Sequence, residues 1–380
     1  MYLKHLQLTN YRNHEDKKLV FDAAGKLIVG PNGSGKTNII EAINFLATGK
    51  PFRAGYDREV IMHGKSLAAI KAQVIEGISQ EEKEARAIPE DQETPAGHQE
   101  TPQKNENKPI TIGIGIQKSD KYENASSKKV KINGKSTKIG SLAEKVNTVL
   151  FSPLDMNLLT NSPSTRRNFF DDVLEQASKE YKKARRDFRK ARRQKNKILE
   201  IIRETGKGHS QLDYWNKKVL EMGQVIQENR KKLAEYFNDQ MDSHLETLDP
   251  SLECTFVYDA NLINQERLEI YAEKELAAGT SLIGPHRDDF YLEQEKISNL
   301  ADYASRGQQR TLILTLKLCV LEFLEGVVGK KPILLLDDIF SELDETHRGV
   351  LENLVRSQQT ILTATEVPKG FESFPIEELK

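Results

Sequence analysis

The sequence predicts an α/β fold in which a mixed sheet with flanking helices and an antiparallel β subdomain is joined to a helical second lobe with a short antiparallel helical arm. Short apolar runs near both ends of the chain predict buried strands, and the region from about 58 to 151 is typical of half-buried strands. Residues 165 to 248 contain few glycines and are typical of helix. A chain of 380 residues is expected to form about two domains.

The order of these regions predicts a divided lobe. We expect residues 1–160 and 281–380 to form the N-terminal and C-terminal parts of the α/β lobe, and residues 161–280 to form the helical lobe with its arm.

Composition restricts the class of protein only weakly. The chain is 37% hydrophobic and 30% charged, with a formal net charge of −1, so the overall charge argues neither for nor against nucleic-acid binding. Cys254 and Cys319 are far apart and suit a reducing compartment. The polar N-terminus and the absence of an apolar run near 18 residues predict a cytoplasmic chain with no membrane span.

Local patterns place the first elements. Residues 3–8 alternate as in a strand, residues 27–29 form a short apolar run, and residues 38–47 have helical spacing. Isoleucines alternate with smaller or polar residues from 110 to 116, which predicts a half-buried strand. Asn133-Gly134 predicts a tight hairpin.

An acidic segment interrupts this sheet between 79 and 107. From 80 to 107 it holds eight acidic residues, three basic residues, three prolines and one large apolar side chain, Ile88. Such a composition cannot bury a core and predicts disorder. The segment is either a regulatory tail or an insertion tolerated at a hairpin tip.

The helical region is expected to contain two long helices joined by a turn at Gly206-Lys207-Gly208. The first would extend over about 165–204, which corresponds to roughly 60 Å at 1.5 Å per residue. A short strand at 254–258 follows, and strands alternate with helices again from about 280.

A glycine-rich motif follows the second apolar run and opens a helix. It consists of Gly30, Pro31, Asn32, Gly33, Ser34, Gly35, Lys36 and Thr37. This spacing is that of a phosphate loop, whose backbone N–H groups and helix N-terminus bind phosphates. We predict that the loop binds ATP, with Lys36 on the β- and γ-phosphates and the Thr37 hydroxyl on Mg²⁺.

A pair of acids follows the most apolar strand, which is predicted at 333–336. A buried parallel strand would deliver both carboxylates to the phosphate loop. Asp337 is predicted to hold Mg²⁺, and Asp338 to orient or deprotonate the attacking water.

Ser305 and Gly307 stand at the start of a predicted apolar helix, within Ala304-Ser305-Arg306-Gly307-Gln308-Gln309. The segment resembles the signature motif of ABC-type ATPases, with Ala304 and Arg306 as departures from it. Taken alone, the residues fit equally an anion site formed by Ser305, Gly307 and Gln308 and a plain N-cap formed by Ser305.

Two further segments carry the same resemblance. Ser341-Glu342-Leu343-Asp344 resembles the loop of ABC ATPases that faces a partner subunit, and Thr365 stands where the transporters carry the switch histidine. The resemblance implies that two copies of the chain enclose ATP as a homodimer, each contributing Ser305 to the phosphate loop of the other.

The opening Leu6-Gln7-Leu8-Thr9-Asn10-Tyr11-Arg12-Asn13-His14 resembles the chromosome-maintenance and recombination ATPases. In that pattern Arg12 points to the phosphates; otherwise it is a surface arginine. The short arm, together with the segments at 151–156, 162–171 and 284–289, resembles the RecF family of bacterial recombination and replication-repair ATPases. The 79–107 insertion, Leu154 and Met156 depart from the family pattern.

The family resemblance implies a weak, DNA-stimulated ATPase that dimerises on single-stranded or duplex DNA, gaps or junctions. It further implies recombinase loading with the RecR and RecO mediator proteins and support of the SOS response. The alternatives are an ABC ATPase subunit of a transporter and an architectural clamp whose hydrolysis is incidental.

A basic stripe on the first arm helix is the candidate DNA surface. Residues 179–197 contain eleven Lys or Arg and two acids, and six of the basic residues recur at helical spacing: Lys182, Arg185, Arg186, Arg189, Arg193 and Lys197. Such a stripe can neutralise phosphates. Alternatively, it is a solvated face that pairs with Glu221 and Glu228 on the second helix.

Overall fold

The computed structural model describes residues 1–77, 109–119, 125–294, 299–340 and 343–379. The segment predicted to be disordered, 79–107, lies outside these residues. The chain forms two compact units, one made of 1–153 and 324–380 and the other of 154–323.

The first unit contains most of the strands and two of the helices. Its strands are β1 (Tyr2–Tyr11), β2 (His14–Val20), β3 (Gly25–Val29), β4 (Leu67–Ile75), β5 (Ile110–Lys118), β6 (Ser126–Ile132), β7 (Lys135–Thr137) and β8 (Thr148–Phe151). The second unit contributes β9 (Thr255–Asp259) and β10 (Asp289–Glu293). The first unit ends with β11 (Ile333–Asp337), β12 (Thr360–Ala364) and β13 (Ile376–Glu378).

The first unit holds two sheets. Six antiparallel strands lie in the order β2-β1-β4-β5-β6-β7, and five parallel strands lie in the order β13-β3-β12-β11-β8. The α/β class is therefore confirmed, with its parallel and antiparallel strands in separate sheets. The predicted hairpin between β6 and β7 is also confirmed, since Asn133 and Gly134 have φ values of 50° and 77°.

Helix α1 (Lys36–Thr48) forms the core between these sheets. Ten of its 13 residues are buried, including Ile39, Ile43 and Phe45, and it packs against β8, β11 and β12. The same core cluster includes Leu6 and Leu8 of β1. Because α1 is buried on nearly every side, its N-terminus has a fixed position at the carboxyl edge of the parallel sheet.

The helices of the second unit are α2 (Asn157–Thr160), α3 (Pro163–Ala177), α4 (Lys179–Thr205), α5 (His209–Leu248), α6 (Gln265–Ile270) and α7 (Ala272–Ala278). Helix α8 (Arg306–Val328) begins in this unit, and α9 (Glu345–Ser357) belongs to the first. Helices α4 and α5 form the predicted antiparallel arm and pack along each other.

The prediction of one helix over about 165–204 was wrong, because the chain breaks at Ser178. This residue has an extended backbone (φ −139°, ψ 121°), and its hydroxyl accepts a hydrogen bond from the Tyr181 N–H at 3.1 Å, which caps a new helix. Helix α4 has 27 residues and is about 40 Å long. The turn at Gly206 and Gly208 is confirmed, with φ values of 67° and 112°.

The second unit extends beyond the boundary that the sequence placed near residue 280. Strand β10 pairs antiparallel with β9, with Asp289 opposite Asp259, so residues after 280 stay in the helical unit. The unit ends at Phe323, within α8. No helix among the residues described above is both long enough and apolar enough to cross a bilayer.

A buried charge network organises this unit. The Arg230 guanidinium on α5 lies 2.7 Å from Asp171 of α3 and 2.7 Å from Asp288, and it donates to the Pro285 carbonyl at 2.7 Å. Asp288 is fully buried and also accepts from the Gln227 amide at 3.0 Å. Arg230 thus links two buried carboxylates, so losing it would leave Asp288 without this cation and Asp171 with Arg185 alone.

Replacing Arg230 with alanine should therefore destabilise the second unit by about 3–5 kcal/mol, because the buried Asp288 loses its counter-charge and Asp171 keeps only that of Arg185. Denaturant unfolding would measure the loss. Lys231→Ala, at an exposed position one residue along α5, is the control and should change stability by less than about 0.5 kcal/mol. Equal effects of the two substitutions would contradict this account of the network.

Candidate functional site

The glycine-rich loop connects β3 to α1 at the carboxyl edge of the parallel sheet. Gly33 and Gly35 have φ values of 87° and 99°, which side chains rarely adopt. A Cβ on Gly35 would lie 2.5 Å from the Asn13 Oδ1 and 2.7 Å from the His14 Nε2. The glycines are therefore required by the backbone path, which turns the loop N–H groups around a concave surface.

Lys36 lies folded over this loop. Its side chain is 4% exposed, and its Nζ donates to the carbonyls of Gly30 at 2.7 Å and Pro31 at 3.2 Å. The same Nζ lies 3.8 Å from the Asp338 carboxylate. The Ser34 Oγ is buried and has no hydrogen-bond partner among the described atoms. A buried ammonium and an unsatisfied hydroxyl in one loop suit an anion.

Asp337 joins the loop to two neighbouring strands. It ends β11, the fully buried strand between β8 and β12. Its Oδ1 accepts hydrogen bonds from the Thr37 hydroxyl at 2.9 Å and the Thr363 hydroxyl at 2.8 Å. Burial raises the pKa of Asp337, and these two bonds partly oppose that rise. Within the described part of the chain, no hydrogen bond to its Oδ2 occurs, which leaves that oxygen for a ligand.

Asp338 follows in a strained conformation. Its φ is 53°, in the left-handed region that non-glycine residues seldom occupy. The backbone N–H donates to the Thr363 Oγ at 3.0 Å, which holds this conformation. Its side chain remains 35% exposed. The strain therefore turns a partly solvated carboxylate toward the lysine of the loop.

Arg12 is held by a buried carboxylate of α1 in this structure. Its Nε and Nη2 bind both oxygens of Glu41, at 2.8 and 2.9 Å, and its Nη1 donates to the Glu59 carbonyl at 2.9 Å. Glu41 is fully buried on α1, and its carboxylate also accepts a hydrogen bond from the Arg53 N–H at 3.2 Å. Arg12 therefore ties β1 to α1, and its contact with a phosphate stays a prediction.

Sequence reasoning did not single out three residues that shape the site: His14, Glu41 and Thr363. The buried His14 places its Nε2 3.1 Å from the Gly35 carbonyl, and burial lowers the pKa of this histidine. His14 was within the quoted N-terminal motif, which was the available signal. Thr363 lies in the strand at 360–365 that leads to the switch position at Thr365, which was a signal of the same kind, whereas Glu41 gave none.

Ser305 caps α8 through a reciprocal pair of hydrogen bonds. Its Oγ accepts from the Gln308 N–H at 3.2 Å, and its N–H donates to the Gln308 Oε1 at 2.9 Å. This is a capping box, so the N-cap interpretation is correct for the isolated chain. Ser305, Arg306 and Gly307 are nevertheless exposed at the N-terminus of α8.

The other predicted site residues are Thr365, after β12, and the segment 341–344, before α9. Thr365 is exposed and follows β12, whose last residue, Ala364, accepts from the Gly30 N–H at 3.3 Å. Asp344 caps α9, and the His347 N–H that it accepts lowers its pKa. Ser341 and Glu342 lie outside the described residues.

The basic stripe on α4 is largely exposed, with one correction. Arg186, Arg189, Arg193 and Lys197 face solvent and Lys182 is half-buried. Arg185 was wrongly included in the stripe. Its guanidinium is buried against α3, 2.8 Å from Asp171 and 2.7 Å from Glu175.

The acids on α5 do not neutralise this stripe. Glu221 pairs with Lys218 and Glu228 with Lys232, both on α5 itself. Arg189, Arg193 and Lys197 have no ion pair with any described residue, and Arg186 contacts Asp187 at 3.0 Å. Arg189, Arg193 and Lys197 therefore present unneutralised charge.

Together, these groups fit a polyphosphate with a divalent cation. The loop offers backbone N–H groups and Lys36, and Thr37 with Asp337 offers two adjacent oxygen ligands. No group of three or more His, Cys, Asp or Glu that could bind a metal occurs in the described ranges. A hard cation held by few protein oxygens and by phosphates matches magnesium at such sites.

Comparisons with known proteins agree with this geometry. A family model described as the RecF/RecN/SMC N terminal domain matches residues 2–366. The DNA replication and repair protein RecF of Synechococcus sp. (strain JA-3-3Ab) is 31% identical over 389 residues, covering 97% of this chain and 92% of the relative. Its counterpart in Bacillus thuringiensis (strain Al Hakam) is 30% identical over 399 residues, covering 100% and 96%.

Solved structures give the same result at the level of the fold. A structure of the recombination mediator protein RecF with ATPrS in the RecFOR pathway has a TM-score of 0.81 at 26% identity, covering 100% of this chain and 96% of that chain. A structure of the same kind of protein with ATP has a TM-score of 0.81 at 27% identity, covering 97% and 93%.

Proposed function

The chain belongs to the RecF family, and from this premise we propose that it is an ATP-dependent DNA-binding protein of DNA replication and recombinational repair. The observation that carries the proposal is the cluster in which Thr37 and Thr363 share Asp337 beside the buried Lys36. The relatives named above bear the description of replication and repair proteins, and two solved relatives are described with ATP or ATPrS.

In the proposed mechanism, the loop from Gly30 to Thr37 holds the phosphates of ATP with its backbone N–H groups. Lys36 exchanges its two carbonyl partners for phosphate oxygens, and Thr37 and Asp337 would hold Mg²⁺. The bound ion would supply charge stabilisation for phosphoryl transfer. Asp338, partly exposed and beside Lys36, orients the attacking water and accepts its proton. Thr365 and Arg12 are proposed to border the phosphates.

A second copy of the chain is proposed to complete the site. The exposed N-terminus of α8 offers Ser305, Gly307 and Gln308 to the γ-phosphate held by the other copy. The Asp344 loop would lie at the same contact between copies. Since nucleotide would then join the two chains, ATP binding drives dimerisation and slow, DNA-stimulated hydrolysis releases it.

DNA is proposed to bind the basic stripe of α4, through the exposed Arg186, Arg189, Arg193 and Lys197 and the half-buried Lys182. The net charge of −1 hides this local concentration of cations, which favours phosphates without sequence selection. Single strands, duplexes, gaps and junctions all present such phosphates. RecO and RecR are the proposed mediator partners because two solved relatives are described within the RecFOR pathway. Recombinase loading and support of the SOS response complete the proposal.

Family membership argues against the transporter alternative. The remaining alternative is an architectural clamp. In such a clamp ATP hydrolysis would not control release from DNA, whereas in the proposed switch it does. Substitution of the proposed base therefore separates the two hypotheses.

Wild-type chain should convert from monomer to dimer when ATP and DNA are both present, and Ser305→Arg should remain monomeric because the added side chain fills the γ-phosphate face. Sedimentation analysis would give both masses. Ser243→Arg makes the same replacement at an exposed helical position, and it should dimerise normally. An unchanged wild-type mass under every nucleotide condition would remove the dimer model.

Asp338→Asn should bind ATP but hydrolyse it at least about 100-fold more slowly, because an amide cannot accept the proton of the attacking water. The variant should consequently stay dimeric on DNA, which an ATPase assay and a DNA-dissociation assay would measure together. Asp213→Asn, at an exposed position on α5, is the control. Slow hydrolysis with normal release from DNA would favour the architectural clamp, and normal hydrolysis would refute the assignment of the base.

Charge reversal at Arg186, Arg189 and Arg193 should reduce the slope of log affinity for duplex DNA against log salt by about three, since each lost phosphate contact contributes ~0.9. Fluorescence anisotropy over a salt series would measure it. The matched control reverses three exposed lysines of α5: Lys217, Lys231 and Lys232. The same slope in wild type and stripe variant would place the DNA on another surface.

A further inference from the structure

A basic cavity opens in the second unit, where α3, α4 and α5 surround Pro285 and His286. It has a volume of about 190 Å³. The charged residues described in its lining comprise Asp171 and five arginines: Arg167, Arg185, Arg189, Arg192 and Arg230. At ~30 Å³ for each water, the space could hold roughly six waters, which is enough for a phosphate group with the atoms attached to it.

Two of the five arginines are neutralised inside the fold. Arg230 pairs with Asp171 and Asp288 at 2.7 Å each, and Arg185 pairs with Asp171 at 2.8 Å and Glu175 at 2.7 Å. Asp171, the acid in the lining of the cavity, is paired with both of them. The positive charge that remains belongs to Arg167, Arg189 and Arg192.

Arg192 is one of the two half-buried arginines among these three. It is half-buried, and it forms no ion pair within the ranges that the structure describes. Burial lowers the pKa of Arg192, and the charges of Arg287 and Arg167 lower it further. The fold therefore holds several guanidinium groups together in a partly desolvated place, at an electrostatic cost that a bound anion would offset.

Arg167 adds a positioned donor to the wall. Its Nη1 donates to the Asp288 carbonyl at 2.6 Å, which anchors the guanidinium through the backbone and leaves its other N–H groups available. His286 contributes no charge at neutral pH, because burial lowers its pKa to about 3. The attraction for an anion thus comes from planar guanidinium groups, which match phosphate oxygens in pairs.

We propose that this cavity is a phosphate-binding site, separate from the phosphate loop, in which Arg192 and Arg167 bind the oxygens of one phosphate group. Arg189 lies in both the cavity and the stripe of α4, so a backbone phosphate of nucleic acid can enter from DNA held on the stripe. Inorganic phosphate is the other source with the same chemistry. Only the use of the cavity by DNA rests on the proposed function.

The direct test is crystallographic. Crystals of the full chain soaked in tungstate, an oxyanion that scatters X-rays anomalously, should show an anomalous peak between Arg192 and Arg167. Added inorganic phosphate should displace it. Tungstate at the phosphate loop with none in the cavity would overturn the proposal.

A solution test uses variants in the Lys36→Ala background, so that the phosphate loop contributes little. Inorganic phosphate should stabilise the chain against heat, and Arg192→Gln should weaken the inferred affinity roughly tenfold through loss of charged hydrogen bonds. Lys190→Gln removes the same charge from the same helix at an exposed position that does not line the cavity, and should bind phosphate like its parent. Equal affinities for the two variants would contradict the assignment.

Arg192→Lys tests whether the effect of Arg192→Gln is merely structural. The lysine keeps the positive charge but lacks the planar guanidinium group. It should bind phosphate with an affinity between those of Arg192→Gln and the parent. An affinity equal to that of the parent would show that pairing by the guanidinium is not used, and would overturn the assignment of Arg192.

The source of the phosphate is identified with a single-stranded oligonucleotide and no ATP. A larger loss of DNA affinity in Arg192→Gln than in Lys190→Gln would support the phosphate site and assign it to nucleic acid. Equal DNA affinities, with the phosphate effect retained, would support the site and assign it to the free anion. Neither readout needs ATP or a dimer, so a failure of the proposed ATP switch would leave this result interpretable.

Discussion

The carboxylate of Asp337 is the interaction on which the candidate site depends. Three segments distant in sequence meet at this one group: the start of α1 through Thr37, the end of β11, and the end of β12 through Thr363. They can meet because the five strands of that sheet are parallel, so the carboxyl ends of β3, β11 and β12 share one edge. The buried packing of α1 holds the phosphate loop at that edge.

In the second unit, buried arginines that are paired with acids support the fold, and arginines without such partners are the candidates for binding phosphate. Arg230 and Arg185 are buried and saturated by carboxylates, which makes them part of the scaffold. The exposed Arg189 and Arg193 of α4 and the half-buried Arg192 lack such partners among the described residues. A chain with a net charge of −1 thus carries concentrated positive charge on one arm helix, where affinity for phosphates is the physical consequence.

Local signals predicted much of this architecture, and long-range partners explain what they missed. The phosphate loop, the hairpin and the turn were predictable because Gly33, Gly35, Gly134 and Gly206 each adopt a positive φ that glycine favours. The break at Ser178 was not, since one serine in a charged helical pattern is a weak signal. Arg185 has the same helical spacing as the stripe, and only the acids on α3 explain its burial. Glu41, in the same way, explains the position of Arg12.

The most direct test of the central role of Asp337 is the effect of Mg²⁺ on ATP affinity in wild type and Asp337→Asn. Titration of a fluorescent ATP analogue in magnesium and in EDTA would measure it. The account predicts that magnesium tightens binding to wild type, and that Asp337→Asn loses this gain while it still binds the nucleotide in EDTA. An equal gain from magnesium in both proteins would contradict the assignment of Asp337 as the residue that holds the ion.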